Sequence, residues 1–144
     1  MKIIHLLLFV IMTSLTVLLI RCSDPASANK ETLVRTLPTV PLNPGEYSYF
    51  WDGKDDSDQY VEPGRYYCEL YEATVGDTIQ MTVLEGGEAS LPYFPNPERI
   101  GSPSASTIIL YYNQPDPFHV KEGTKIYFTL PEYTSIRLTI HRME

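Results

Sequence analysis

Past residue 30 the chain repeatedly alternates apolar and polar side chains with a period of two. In residues 135–141, Ile136, Leu138 and Ile140 share one face while Arg137, Thr139 and His141 take the other. Ile126, Phe128 and Leu130 share a face in 125–130, and Ile79, Met81 and Val83 do so in 78–84. Tyr66, Cys68 and Leu70 follow the same rule in 65–70, as do Tyr47, Tyr49 and Trp51 in 46–51. Successive side chains of a strand point to opposite sides of its sheet, so each run predicts a strand with one buried face. Residues 33–37 and 107–112 supply two shorter strands. No stretch past residue 30 shows a helical period with caps. The expectation is an all-β sandwich of about seven strands in two sheets.

The breaks between these runs carry turn chemistry. Pro41-Leu42-Asn43-Pro44-Gly45 stops one strand and starts the next, and Asp52-Gly53 opens a polar, acidic loop that reaches Asp58. Pro63-Gly64 fits a tight turn, because proline pre-sets φ and glycine tolerates its positive values. Gly86-Gly87 begins a long proline-rich loop over 86–106, with Pro92, Pro95, Pro97 and Pro103. Loops of that length are functional or lie on the domain surface. Its segment Leu91-Pro92-Tyr93-Phe94-Pro95-Asn96-Pro97 reads first as a belt over a sandwich edge and second as an extended recognition segment.

The first 21 residues read differently. Lys2 precedes an apolar run over 3–20, interrupted by His5, Thr13, Ser14 and Thr16, and Arg21-Cys22 closes it. A polar, turn-rich stretch follows, serving as a flexible tether over 22–31. A basic start, an apolar middle and a polar exit make a secretory signal over 1–21. The competing reading is an uncut anchor, since about 18 apolar-leaning residues can span a bilayer. Leu19-Ile20-Arg21-Cys22 resembles the lipobox of bacterial lipoproteins, with Leu19 in place and Arg21 where that family has a small residue. The resemblance implies lipidation at Cys22, and with it a membrane attachment through acyl chains. The expected location is therefore the cell envelope, in the periplasm or on the outer surface.

Charge narrows the partners. The 144 residues carry a net charge of −7; residues 1–21 hold Lys2, Arg21 and no acid, so the rest carries nine Lys+Arg against eighteen Asp+Glu, or −9. Such a surface repels phosphate backbones and argues against nucleic acid as a partner. Cys22 and Cys68 are the two cysteines, too few for a disulfide framework. Cys68 lies on an inward parity and reads as a small buried hydrophobe.

Residues 33–73 then show a more specific pattern. Leu33-Val34-Arg35-Thr36-Leu37, Pro44-Gly45, Trp51-Asp52-Gly53-Lys54-Asp55-Asp56-Ser57 and Val61-Glu62-Pro63-Gly64-Arg65-Tyr66 occur in order. This block resembles the Ig-like domain of the flagellar hook-cap protein and the C-terminal sorting domains of type IX secretion substrates. Asp58 stands where that pattern usually has glycine. The family pattern also has two strands ahead of the block, around a Leu-Pro-Glu. Here the comparable piece comes last: Leu130-Pro131-Glu132, then Ile136-Arg137-Leu138-Thr139-Ile140. The resemblance implies an immunoglobulin-like or fibronectin III-like β-sandwich, circularly permuted, whose C-terminal hairpin joins the sheet built by the N-terminal half. Ile136 to Ile140 must then pack in one core with Trp51 and Tyr66. It also implies an exported, non-catalytic module for assembly, docking or attachment, with an envelope or surface protein as partner.

Three local features carry candidate chemistry. Asp52, Asp55, Asp56 and Asp58 put four carboxylates within seven residues; they read first as a solvated loop in which aspartates bond their own backbone, and second as hard oxygen ligands for calcium, without the spacing of an EF-hand. Among eleven tyrosines, Tyr67, Tyr71, Tyr111, Tyr112 and Tyr127 have outward or unassigned parity. Tyr67, Tyr111 and Tyr127 are the candidate binding surface, and in one flat row they would suit a glycan; a bare sheet edge would suit a protein. Tyr47, Tyr49, Trp51 and Tyr66 have inward parity and belong to the core. His119 and His141, with no nucleophile elbow and no Gly-rich phosphate loop, assemble no catalytic site.

Overall fold

The computed structural model describes residues 31–72, 75–89 and 95–144. The expectations for the signal segment, for Cys22 and for the tether as far as Lys30 lie outside the described residues. Ten strands are present among the described residues: β1 (Thr32–Thr36), β2 (Val40–Leu42), β3 (Gly45–Trp51), β4 (Gly64–Glu72), β5 (Val75–Leu84), β6 (Glu98–Gly101), β7 (Ile109–Gln114), β8 (Phe118–His119), β9 (Thr124–Leu130) and β10 (Thr134–Arg142). One sheet has the order β1-β10-β4-β5-β8, with β2 also on β10; the other is β6-β3-β9-β7. No helix occurs among the described residues.

The seven expected strands are all there, with β7 shifted two residues toward the C-terminus. The additional β2, β6 and β8 are two to four residues long. Runs that short hold too few positions to show a period. β6 lies inside the loop expected over 86–106, where it pairs with β3. Pro95 and Pro97 line a crevice with Leu37, Val40, Tyr49 and Ile136, so this part of the segment does lie over the sandwich.

The inward parities meet in one core. Tyr47, Tyr49, Trp51, Tyr66, Cys68, Leu70, Ile126, Phe128, Ile136, Leu138 and Ile140 are buried in a single cluster. The packing condition set by the permuted strand order therefore holds. Trp51 lies between two rings, with Phe118 edge-on at 5.6 Å and Tyr66 tilted at 5.8 Å. Aromatic pairs at this spacing contribute about 1 kcal/mol each beyond the area they bury. Burial pushes the Cys68 thiol well above its ordinary range, which makes it inert rather than reactive.

The expected C-terminal hairpin is corrected. β9 pairs with β3 in one sheet, whereas β10 lies between β1 and β4 in the other. Residues 131–133 therefore cross between the sheets. Leu130 and Ile136 are both buried, and the crossing sets their strands face to face across the core instead of side by side.

A short motif occurs twice and fixes two of the turns. Pro44-Gly45-Glu46-Tyr47 and Pro63-Gly64-Arg65-Tyr66 each open a strand. The Tyr47 hydroxyl donates to the Asn43 carbonyl at 2.8 Å, and the Tyr66 hydroxyl to the Glu62 carbonyl at 2.6 Å. In both, a buried ring brings its polar tip back four residues to hold the preceding turn. This is the logic of the tyrosine corner of immunoglobulin sandwiches.

Candidate functional site

The acidic loop between β3 and β4 is spent on the fold. Asp52 accepts the Lys54 amide at 3.2 Å. Asp55 Oδ1 accepts the amides of Ser57 at 2.8 Å and Gln59 at 3.0 Å. The Asp56 carboxylate accepts the Thr36 amide of β1 at 3.1 Å, and the Asp56 amide donates to the Val34 carbonyl at 3.1 Å. Arg35 donates to the Asp55 carbonyl and sits 3.9 Å from the Asp56 carboxylate. Asp58 pairs with Lys54 at 3.0 Å, a hydrogen bond that pushes the Lys54 ammonium up. The loop is a clamp that ties β1 to the β3–β4 connection.

These bonds are those of a loop whose aspartates serve the fold. Asp52, Asp55, Asp56 and Asp58 turn to separate partners, and among the described residues no three acidic, His or Cys side chains converge to hold a metal. Asp52 and Asp55 bond amides two to four residues away, Asp56 bonds the Thr36 amide of β1, and Asp58 bonds the Lys54 ammonium. Asp58 also adopts φ 61°, a left-handed conformation that favours glycine, the residue the resembled pattern usually has at this position. Two true glycines complete the base of the loop. A Cβ on Gly53 would lie 2.0 Å from the Val120 carbonyl oxygen, and one on Gly123 would lie 2.4 Å from that of Trp51. The two turns dock on each other through these bare backbones.

Beside the clamp, a groove of about 500 Å³ runs along β1, with Leu33 and Tyr60 exposed in it. Asp56, Glu62 and Arg142 all line it, so its charges are of both signs and select no one ligand class.

The candidate tyrosines separate. Tyr67 is on β4 and is buried, which corrects its surface assignment. Its ring stacks on His141 of β10 at 4.8 Å, and its hydroxyl donates to Glu31 at 2.6 Å. Burial, then the Glu31 hydrogen bond, push that hydroxyl far above its ordinary range. Its outward parity was read correctly, but long side chains of neighbouring segments cover the face there. His141 also lies 3.3 Å from Glu69, whose carboxylate accepts the Tyr71 hydroxyl at 2.5 Å. His119 faces the Glu85 carbonyl at 2.7 Å, so the two histidines serve separate local contacts.

Tyr111 and Tyr127 belong to the other sheet, so no flat row with Tyr67 exists. Tyr111 occupies a bulge of β7, half-buried, with its hydroxyl on Ser104 and 3.4 Å from Glu46. Burial would raise the Glu46 carboxyl, but hydrogen bonds from Ser104, Thr129 and Tyr111 outweigh it and hold the group below its ordinary value. Tyr127 is half-buried beside Tyr112, with ring centroids 5.1 Å apart and planes tilted 36°. Tyr112 is 53% exposed at the β7 edge of the sheet. Tyr60 and Tyr133 are exposed as well, but the Tyr112–Tyr127 pair is the place where an exposed tyrosine ring lies against a second outward-facing one. Of that pair, only Tyr127 was among the three chosen positions.

Residues 27–76 match the family model of the FlgD Ig-like domain, a non-catalytic module. The matched stretch runs through β1, β2, β3 and β4 into the start of β5. Comparison with curated proteins and with solved structures gives no match.

Proposed function

We propose that the protein is an exported, envelope-anchored, non-catalytic Ig-like module that binds a surface or assembly protein. The observation that carries this reading is the match of residues 27–76 to the FlgD Ig-like domain, set in a sandwich built around that stretch. Strand order supports a permuted version of the family sandwich. β10 lies antiparallel between β1 and β4, with Thr32 opposite Arg142, so a short turn from 142 to 32 restores the family's strand–turn–Val34-Arg35 order. The partner surface is the outer side of β7 and β9, where exposed Tyr112 and half-buried Tyr127 form an aromatic strip. Aromatic side chains of this kind, with a polar tip and an apolar body, are favoured at protein interfaces. A glycan is the second reading, resting on the same pair, though a 36° tilt makes a poorer stacking platform than coplanar rings.

Anchoring is tested by the mass of the mature N-terminus from cells expressing the full chain. An acylated Cys22 is expected; an unmodified N-terminus beyond Cys22 makes the module a soluble secreted one. Permutation is tested by a rearranged chain that joins Arg142 to Thr32 through an Asn-Gly turn and opens inside 86–106. Cooperative melting is expected, and a collapsed, non-cooperative product argues against it. Binding is tested with Y112A and Y127A: loss of partner with the fold intact supports the reading. Binding to soluble polysaccharide that Y112A abolishes favours the glycan.

A further inference from the structure

β5 is a long edge strand without the lysine, proline or bulge that often blunts such an edge. It runs ten residues, Val75–Leu84, and pairs with β4 from Val75 to Val83 without a bulge. On its other side β8 covers only Val83 and Leu84. Its sequence, VGDTIQMTVL, holds no lysine, arginine or proline. Long, regular edge strands of this kind recruit a strand from another molecule unless something blocks them.

The single charge on β5 is Asp77, and it stands on the core parity of the strand, in step with Ile79, Met81 and Val83. An aspartate is out of place there unless its carboxylate has a task. Its Oδ1 accepts the Thr78 amide at 2.9 Å, and its Oδ2 accepts the Leu110 amide of β7 at 2.9 Å. One side chain thus bridges the two sheets across their open flank. Further along, the Thr82 amide donates to Asp116 Oδ1 at 2.8 Å. The Leu84 carbonyl accepts the Val120 amide at 2.9 Å. Thr78 and Thr82 share the backbone phase of β5 that turns away from β4, and Gln80 lies between them in the same phase. The amides that an incoming strand would need at 78 and 82 end on carboxylates instead.

We infer that Asp77 and Asp116 are edge guards that prevent β5 from pairing with β5 of a second copy of this chain. An inward-pointing charge on an edge strand is an established way to deter such pairing. Here it is joined by a second carboxylate borne on the 115–117 turn. The device leaves the Tyr112–Tyr127 strip free while closing the flank beside it.

The test is sedimentation velocity, over a concentration series, on protein purified from cells expressing the full chain. D77A/D116A is compared with the parent, then combined with Q80P. Proline at an outward-facing amide spares the β4 ladder but blocks an added strand. The double variant is expected to associate to at least twice the parent's mass as concentration rises, and Q80P to reverse this. A double variant that keeps its strand circular dichroism and sediments like the parent overturns the inference, as does association that Q80P leaves intact. Should D77A/D116A fail to fold, D116A alone decides through amide exchange: Thr82 should exchange about tenfold faster with Thr78 unchanged, and unchanged exchange at Thr82 overturns the guard assignment.

Discussion

The acidic loop and the tyrosine strip of β7 and β9 look alike as sequence, since each is a cluster of residues that often bind something. The structure treats them in opposite ways. Every carboxylate of the loop has a partner inside the protein, down to amides one strand away on β1. Tyr112 instead stays 53% exposed, with its ring against Tyr127. Density of functional groups is thus a poor guide to a site; what counts is whether the fold has already used them. The loop's groups are spent on holding the module together, whereas the strip leaves an aromatic ring in solvent.

That contrast can be broken most strongly at the base of the loop. G53A and G123A each force a Cβ against a carbonyl oxygen at positive φ. Each is expected to cost more than about 3 kcal/mol in denaturant unfolding. Y112A, by contrast, should change stability by less than about 1 kcal/mol, because more than half of that side chain already faces water. Equal losses at the two places would erase the distinction. D55A removes the acceptor for two loop amides. It should cost about 1 kcal/mol, and millimolar calcium should leave the melting temperature of the parent unmoved. A clear calcium-dependent rise would restore the metal reading of Asp52, Asp55, Asp56 and Asp58.

D58G sharpens the comparison from the other side. Asp58 holds φ 61°, a conformation that costs a side-chain-bearing residue about 1 kcal/mol. Its pair with Lys54 is exposed and gives little back. The glycine variant should therefore be more stable by a few tenths to about 1 kcal/mol. The smallest expected effect is at Glu46. Its carboxyl is held below its ordinary value of 4.5, so it contributes stability above that pH and loses it as pH falls through the lower folded value. E46Q should remove that contribution, so that the variant is slightly less stable than the parent near neutrality, converges with it in acid and has a flatter acid limb; an acid limb as steep as the parent's would contradict the assignment.

Much of the fold was readable from period two alone, because parity names the buried face wherever a strand has one. Tyr47, Tyr49, Trp51, Tyr66 and Cys68 went to the core on that rule, and each is buried. Parity does not say what lies over the other face, which is why Tyr67, under His141 and Glu31, was mistaken for surface. Nor does it give strand partners: β9 and β10 alternate equally well as a hairpin or as a crossing between sheets. Asp77 is the clearest residue whose signal was present and unread, a charge in step with Ile79, Met81 and Val83. The twice-used Pro-Gly-X-Tyr motif was likewise legible, but its meaning depends on where the hydroxyl ends, four residues back.

The most direct test of the account places a photoreactive amino acid at position 112, and separately at position 57 in the loop, in cells that express the full chain. Irradiation should yield a discrete protein adduct from position 112 and none from position 57. Adducts from position 57 alone, or from neither position, would contradict the claim that the tyrosine strip is the working surface and the loop a structural clamp.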